Sequence, residues 1–387
     1  MSDIAYFDNA ATTFPKPESV YEFADSFYRS SGGNIGRGGN ALAVAAGSIA
    51  RQAKDNLRQI YKCPASEVVF TASATDALNR IIFGLGLGLG SGDAVYVTPF
   101  EHNAVTRPLN HLVQTSGVCI KVLSFDHMTL LPNWDEIKAQ FDEERPRAVV
   151  MTHASNVCGA VVPIEELCTI AKDYGAVTVV DMSQTAGLLE LPLASDVFDY
   201  AVFAGHKTLL GPFGVGGFIC KHGAKLSPVF FGGNGINSIE QDLPDDIVQM
   251  EEIGSQNTYA IAGLKASTDW IISKGIGAVR AAENAVRDSM LEHLRSSNFV
   301  KIIGDEMSCD RIGVASTVFD GYSPDETEVI LGRFGIAVRS GIQCSPYAHR
   351  FLGTLPHGTV RFSVSVMTSA ADLTCLREAL DGIEKAI

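Results

Sequence analysis

Several features are scarce or missing from this 387-residue chain, and each absence removes a class of explanation. Its eight cysteines (63, 119, 158, 168, 220, 309, 344 and 375) contain no Cys-x-x-Cys pair. That spacing offers neither a zinc ribbon nor a disulfide framework, and most of the eight read as small core residues. Positive charge is also short: 30 Lys and Arg stand against 44 Asp and Glu, for a formal net charge of −14. Nucleic-acid backbones and anionic membranes reward clustered cations, so neither is expected as a partner. Long apolar runs are missing too, because the most apolar one, Ile81 to Gly90, is too short and too glycine-broken to span a bilayer. Residues Met1 to Asp8 carry an acid where a secretory signal would be basic, and no apolar segment follows, so a cytoplasmic protein is expected. No internal repeat and no low-complexity linker is found.

What is present describes a soluble globular chain: 46% hydrophobic and 19% charged residues, and enough length to bury a large core. Apolar β-rich runs alternate with helical periodicity through the first two thirds. Strands are predicted near 68–71, 94–97, 118–125, 148–153, 177–181 and 200–207. Helices are expected near 17–30, 41–61, 134–143 and 164–174, and others near 259–273, 278–297 and beyond 371. Short strands follow near 314–319, 337–340 and 359–364. This alternation indicates a parallel sheet covered on both faces. The Gly84-Leu-Gly-Leu-Gly-Leu-Gly-Ser-Gly92 repeat lacks the strand-before, helix-after context of a dinucleotide loop, so it reads as a helix terminator.

Chemistry is concentrated where strands end. The run Tyr200-Ala-Val-Phe-Ala-Gly-His-Lys207 stops on a lysine, and a lysine among apolar neighbours has a lowered pKa and can attack carbonyls. Read alone, such a lysine is also a common surface turn. Upstream, Val177-Thr-Val-Val-Asp181 ends on a carboxylate. Pyridoxal 5'-phosphate (PLP) needs both: a lysine to carry its aldehyde and a carboxylate to hold its pyridine nitrogen protonated. Ala72-Ser-Ala74-Thr75 opens a helix whose free N–H groups suit a phosphate, though hydroxyls there also serve as plain caps.

Thr152-His-Ala-Ser-Asn156, Asp181-Met-Ser-Gln184 and Gly205-His206-Lys207 together resemble the cysteine desulfurase and selenocysteine lyase-like group of class V aminotransferases. The resemblance runs from Asp8-Asn9-Ala-Ala to Arg361. It implies an α/β, fold-type I PLP-dependent transferase, with a mainly parallel seven-stranded sheet in a large domain (15–260). A smaller α/β domain (1–14 and 261–387) would carry the cysteine loop. By the same resemblance Lys207 holds PLP, His102 stacks on its ring, and Asp181 faces the pyridine nitrogen. Asn156 and Gln184 tune the phenolic oxygen, while Ala74, Thr75 and His206 bind the phosphate. Ser255, in Ser255-Gln-Asn-Thr258, reaches the phosphate of a second subunit, which implies a homodimer with shared sites.

A second constellation, Arg339-Ser-Gly-Ile-Gln-Cys344-Ser-Pro346, puts a cysteine in a glycine- and proline-bounded loop after a strand. A free thiol of pKa about 8.5 is a minority thiolate at neutral pH, and a nearby cation such as Arg339 raises that fraction. The loop resembles the desulfurase motif, which implies Cys344 as the nucleophile toward L-cysteine, giving alanine and a persulfide for an acceptor protein or thiol. Arg361 lies in an apolar strand and would clamp a substrate carboxylate, although a structural salt bridge is the other use of a buried guanidinium. Asn9 is implied to lie near the substrate. Four positions depart from the family pattern: Gly36 and Gln343 where histidine is frequent, Ser345 for alanine, and Ala204 for a phosphate-binding serine. Other readings remain: selenocysteine lyase, cysteine or cystine C–S lyase, another class V reaction, or a non-catalytic sulfur carrier.

Overall fold

The computed structural model describes residues 4–35, 38–235 and 239–385. The chain begins with a two-residue strand, β1 (Ala5–Tyr6), and then builds a seven-stranded sheet. Its strands are β2 (Glu67–Thr71), β3 (Ala94–Val97), β4 (Cys119–Val122), β5 (Pro146–Thr152), β6 (Val177–Asp181), β7 (Tyr200–Ala204) and β8 (Gly216–Cys220). They lie in the order β2-β8-β7-β6-β5-β3-β4. All neighbours are parallel except that β8 runs against both β7 and β2. The exception has a local cause: the short glycine- and proline-rich return after Lys207 is too brief for a crossover, so the next strand must come back antiparallel.

The strands read as continuous apolar runs because helices cover both faces. β7 and β8 are buried along their whole length. One layer includes Ala41–Ile60, Trp134–Glu143, Ile164–Asp173 and Thr258–Lys274, while Ala74–Gly86 and Asn103–Ser116 pack on the other face. In a parallel sheet so covered, ligands meet the carboxyl ends of the strands. The segments after β3, β5, β6 and β7 carry His102, Asn156, Gln184 and Lys207.

A second, antiparallel sheet uses β9 (Val300–Ile302), β10 (Val314–Phe319), β12 (Arg339–Gly341) and β13 (Thr359–Ser363), while β11 (Ile336–Ala337) pairs with β1. The single strand expected near 337–340 is therefore two. β11 and β12 take different partners, β1 and β13, so the ladder breaks at Val338. The N-terminal segment also touches β13 directly, with Asp8 bridging Ser363. The glycine repeat departs from expectation as well: Gly84 and Gly86 lie inside the helix Ala74–Gly86, and the terminator comes only after them. Among the described residues no helix is long and apolar enough to cross a membrane, and no group of His, Cys, Asp and Glu is placed to hold a metal.

Candidate active site

One cavity gathers the strand ends. Ser73, Ala74, Thr75, His102, Asn156, Asp181, Gln184, Ala204, His206 and Lys207 all line it. At one end the helix Ala74–Gly86 presents its N-terminus. Ser73 caps the Asp76 amide at 3.1 Å, which leaves the Ala74 and Thr75 amides without helical acceptors. Strand β8 lies hard against this terminus because residue 216 is glycine: a Cβ there would come within 2.6 Å of the Ala74 nitrogen.

At the sheet end, Asp181 is 5% exposed and accepts the Ser183 amide at 2.8 Å. No cation pairs with it among the described residues. Lys207 follows β7 in a turn braced by the N-terminal segment. Thr12 Oγ1, Lys16 Nζ and the Thr13 amide all donate to the His206 carbonyl, and Thr13 Oγ1 donates to that of Lys207. Burial pushes the Lys207 amine down to about 8; Asp181 opposes the shift while Arg361 and Arg339 add to it. The His206 ring stacks on Phe213 at 4.6 Å, and its buried Nδ1 has no partner among the described residues.

His102 caps the helix Asn103–Ser116, its Nδ1 accepting the Ala104 amide at 3.0 Å. That bond puts the ring proton of the neutral imidazole on Nε2. Burial, and then the charge of Lys207, lowers its pKa to about 4, so the ring is neutral at working pH. Beside it Glu101 is fully buried. Its Oε1 accepts from Thr98 Oγ1 at 2.6 Å and the Thr152 amide at 2.7 Å, while Oε2 has no partner among the described residues. Burial raises this carboxyl to about 8.

The cysteine loop flanks the same cavity. The carbonyl of Cys344 accepts the Asn103 amide at 2.7 Å, one residue from His102. Asn156 Nδ2 donates to the Gln343 carbonyl at 2.9 Å, and Ser345 Oγ donates to Asn156 Oδ1 at 2.7 Å. Cys344 is half-buried, with Arg339 Nη2 at 4.0 Å from its sulfur. Arg339 and Arg361 stand directly opposite each other on β12 and β13.

A family model described as Aminotransferase class-V matches residues 5–376. The chain belongs to the class-V aminotransferase family. Among its relatives, a protein named probable cysteine desulfurase from Methanothermobacter thermautotrophicus is 29% identical over 99% of this chain and 95% of its own length. A protein of the same name from Aeropyrum pernix is 30% identical over 98% of this chain and 94% of its own. A solved cysteine desulfurase from Thermococcus onnurineus NA1 superposes with a TM-score of 0.91 at 27% identity, over 100% of this chain and 96% of that one. The fold expected from the sequence and the class-V assignment are thus both borne out.

Not every expected residue of this class-V chain reaches the cavity. Asn9 is spent on structure: its Nδ2 donates to the carbonyls of Ser363 at 2.9 Å and Tyr6 at 3.2 Å, and its Oδ1 accepts the Phe14 amide. Ser255 is exposed and away from the cavity lining, its hydroxyl accepting from Asn34 at 3.2 Å. Arg361 is 2% exposed and makes the structural salt bridge that was one of the two uses foreseen for it. Nη2 forms a 2.6 Å salt bridge to Asp8 and Nη1 donates to the Asn156 carbonyl, yet Nε is buried without a partner among the described residues. Gly36 and Arg37 of the Asn34-to-Gly39 loop lie outside the described residues. Sequence reading missed Lys16 and Glu101. For Lys16 the Pro-Lys-Pro setting gave no sign of burial; for Glu101 an acid directly before the strand-end histidine was the available signal.

Proposed function

We propose that this chain is a PLP-dependent cysteine desulfurase, converting L-cysteine to L-alanine with transfer of sulfur to Cys344. The carrying observation is the placement of Cys344: its loop is bonded to Asn103 and Asn156 at the rim of a cavity that also holds Lys207 and the unpaired Asp181. The cavity fits PLP at both ends. Free amides at Ala74 and Thr75 and the orphaned His206 Nδ1 suit a phosphate, and Asp181 suits a pyridinium. Bound PLP would act as the electron sink that lets an amino acid's carbon skeleton release a β-substituent.

The protein's own groups supply the rest. Lys207, held near 8, has a substantial neutral fraction at working pH and can both capture the aldehyde and move protons. His102 would pack against the ring of the cofactor, and Asn156 and Gln184 would hold its phenolic oxygen. Arg361, whose Nε is left without a partner among the described residues, would bind the substrate carboxylate, with Arg339 beside it. The Cys344 thiolate attacks the substrate sulfur: an S–S bond forms, the C–S bond breaks, and the β-carbon takes a proton to become the methyl group of alanine. No external oxidant or reductant is consumed in that step. The persulfide then passes to an acceptor protein or thiol in the cytoplasm. Residues 15–260 would hold the cofactor, with 1–14 and 261–387 supplying the cysteine loop. Ser255 would serve the phosphate of a second copy in a homodimer.

The test is mass spectrometry of Cys344 after exposure to L-cysteine without reductant. The reading predicts the gain of one sulfur atom on this residue, absent in Lys207→Ala. An unmodified Cys344 in protein that turns over cysteine would overturn it.

A further inference from the structure

Cys344 sits in a backbone conformation its residue type disfavours. Its φ is 60° and that of Gln343 is 44°, so two successive side chains occupy the left-handed region. There Cβ crowds the following carbonyl, which disfavours the conformation for any residue with a side chain. Such a turn persists only when its surroundings over-determine it.

The Gln343 side chain is the strongest of those constraints. It is 4% exposed, and its Nε2 donates to the carbonyls of Thr359 at 3.0 Å and Arg339 at 3.3 Å. Carbonyls only accept, so the amide nitrogen must face them and Oε1 must face His349 Nε2, 2.8 Å away. That oxygen only accepts in turn. His349 therefore carries its proton on Nε2, and its Nδ1 accepts the Thr354 hydroxyl at 2.7 Å. The imidazole is fully buried, and burial holds its pKa down to about 4, which keeps this arrangement neutral. One carboxamide thus ties the cysteine turn to β12 and β13, the strands that carry Arg339 and Arg361.

We propose that Gln343, oriented by His349, is a positioning residue for the sulfur-transfer step: it holds the left-handed turn that sets Cys344 beside the cavity, and it moves no proton. This rests on the reading of Cys344 as nucleophile. It also gives a non-titrating residue beside Cys344 a use, since both ends of the Gln343 side chain are committed to the protein interior. Arg339 is left as the cation beside the thiol.

Two near-isosteric variants test it on the PLP-loaded enzyme. Gln343→Glu puts an oxygen against two carbonyl oxygens unless the carboxyl is protonated, and Gln343→Met removes both donor and acceptor. At pH 8 each should lower kcat for alanine formation by on the order of 10²-fold, as a displacement of about 1 Å does. KM and the visible absorbance of bound PLP should stay near wild type. The loss in Gln343→Glu should shrink as pH falls toward 6, and that in Gln343→Met should not. Alkylation of Cys344 by iodoacetamide should become faster in Gln343→Met, because a loosened turn frees the thiol while spoiling its aim. A kcat within twofold of wild type in both variants overturns the proposal, as does a joint fall of kcat, PLP absorbance and Tm. If wild type makes no alanine, the desulfurase reading fails by itself. The alkylation comparison still decides positioning, and an unchanged rate in Gln343→Met would sink it.

Discussion

At the residue scale, two buried titrating groups at the site, Lys207 and Glu101, are shifted in opposite senses by the same cause. Burial disfavours charge, so it lowers the Lys207 amine and raises the Glu101 carboxyl, each to about 8. For Lys207 the neighbours modulate this. Asp181→Asn removes the group that favours the ammonium and should shift PLP capture by cofactor-free protein to lower pH. Arg339→Gln removes a repelling cation and should shift it to higher pH. Stopped-flow absorbance of PLP binding across pH checks both signs, and identical midpoints in all three proteins would contradict the electrostatic account. For Glu101 the folded pKa lies above the unfolded value of about 4.3. The folded protein keeps this proton through the window up to about 8 while the unfolded chain has lost it, so the group's contribution to stability falls as pH rises across that window. Glu101→Gln should remove that slope. Urea unfolding of both proteins at pH 5 and pH 8 should therefore show the variant gaining on wild type at the higher pH.

At the scale of elements, the phosphate end depends on how the helix Ala74–Gly86 is anchored. Arg80 from this helix is 8% exposed and pairs with Asp76 in its first turn and with Glu251, itself 2% exposed, from the segment leading to Ser255. Arg80→Ala would leave the Glu251 carboxylate buried and alone. Breaking a buried pair in this way costs about 3–5 kcal/mol, visible as a lower urea midpoint. Gly216→Ala should act more locally: its Cβ needs space now held by the Ala74 nitrogen, so PLP affinity should drop tenfold or more with little change in Tm. Equal losses of affinity and stability would show that β8, not the helix terminus, had yielded.

Strand ends were the legible part of this architecture, because apolar runs that finish on Lys207, Asp181 and the His102 segment expose chemistry against a bland background. Short paired elements were not. β1 and β9 are too brief to carry periodicity, and the split of β11 from β12 depends on which distant strand each one meets. The helix Pro324–Arg333 did have a local signature, the Ser323/Glu326 capping box, which went unread. Side-chain commitments were the least legible. Nothing in the local sequence says that the Asn9 amide is consumed by Ser363, or that Gln343 is locked by His349, since those partners lie far along the chain or across a turn.

At the scale of the whole molecule, the N-terminal segment couples the two sheets to one site. It braces the Lys207 turn through Thr12, Thr13 and Lys16, and it meets Arg361 through Asp8. Ser255 is exposed, and the proposed reading has it serve the phosphate of a second copy. Light scattering should therefore report a dimer, and mixing Lys207→Ala with Ser255→Ala subunits should yield one site lacking both groups and one intact site, hence more activity than either parent. The most direct test of the account is product analysis. PLP-loaded protein is given L-cysteine and a thiol reductant, and alanine, pyruvate and sulfide are scored for wild type and Cys344→Ser. The account predicts alanine and sulfide in equal amounts, both abolished in the variant although its PLP absorbance is intact; pyruvate as the main product, or alanine formed equally well without Cys344, would contradict it.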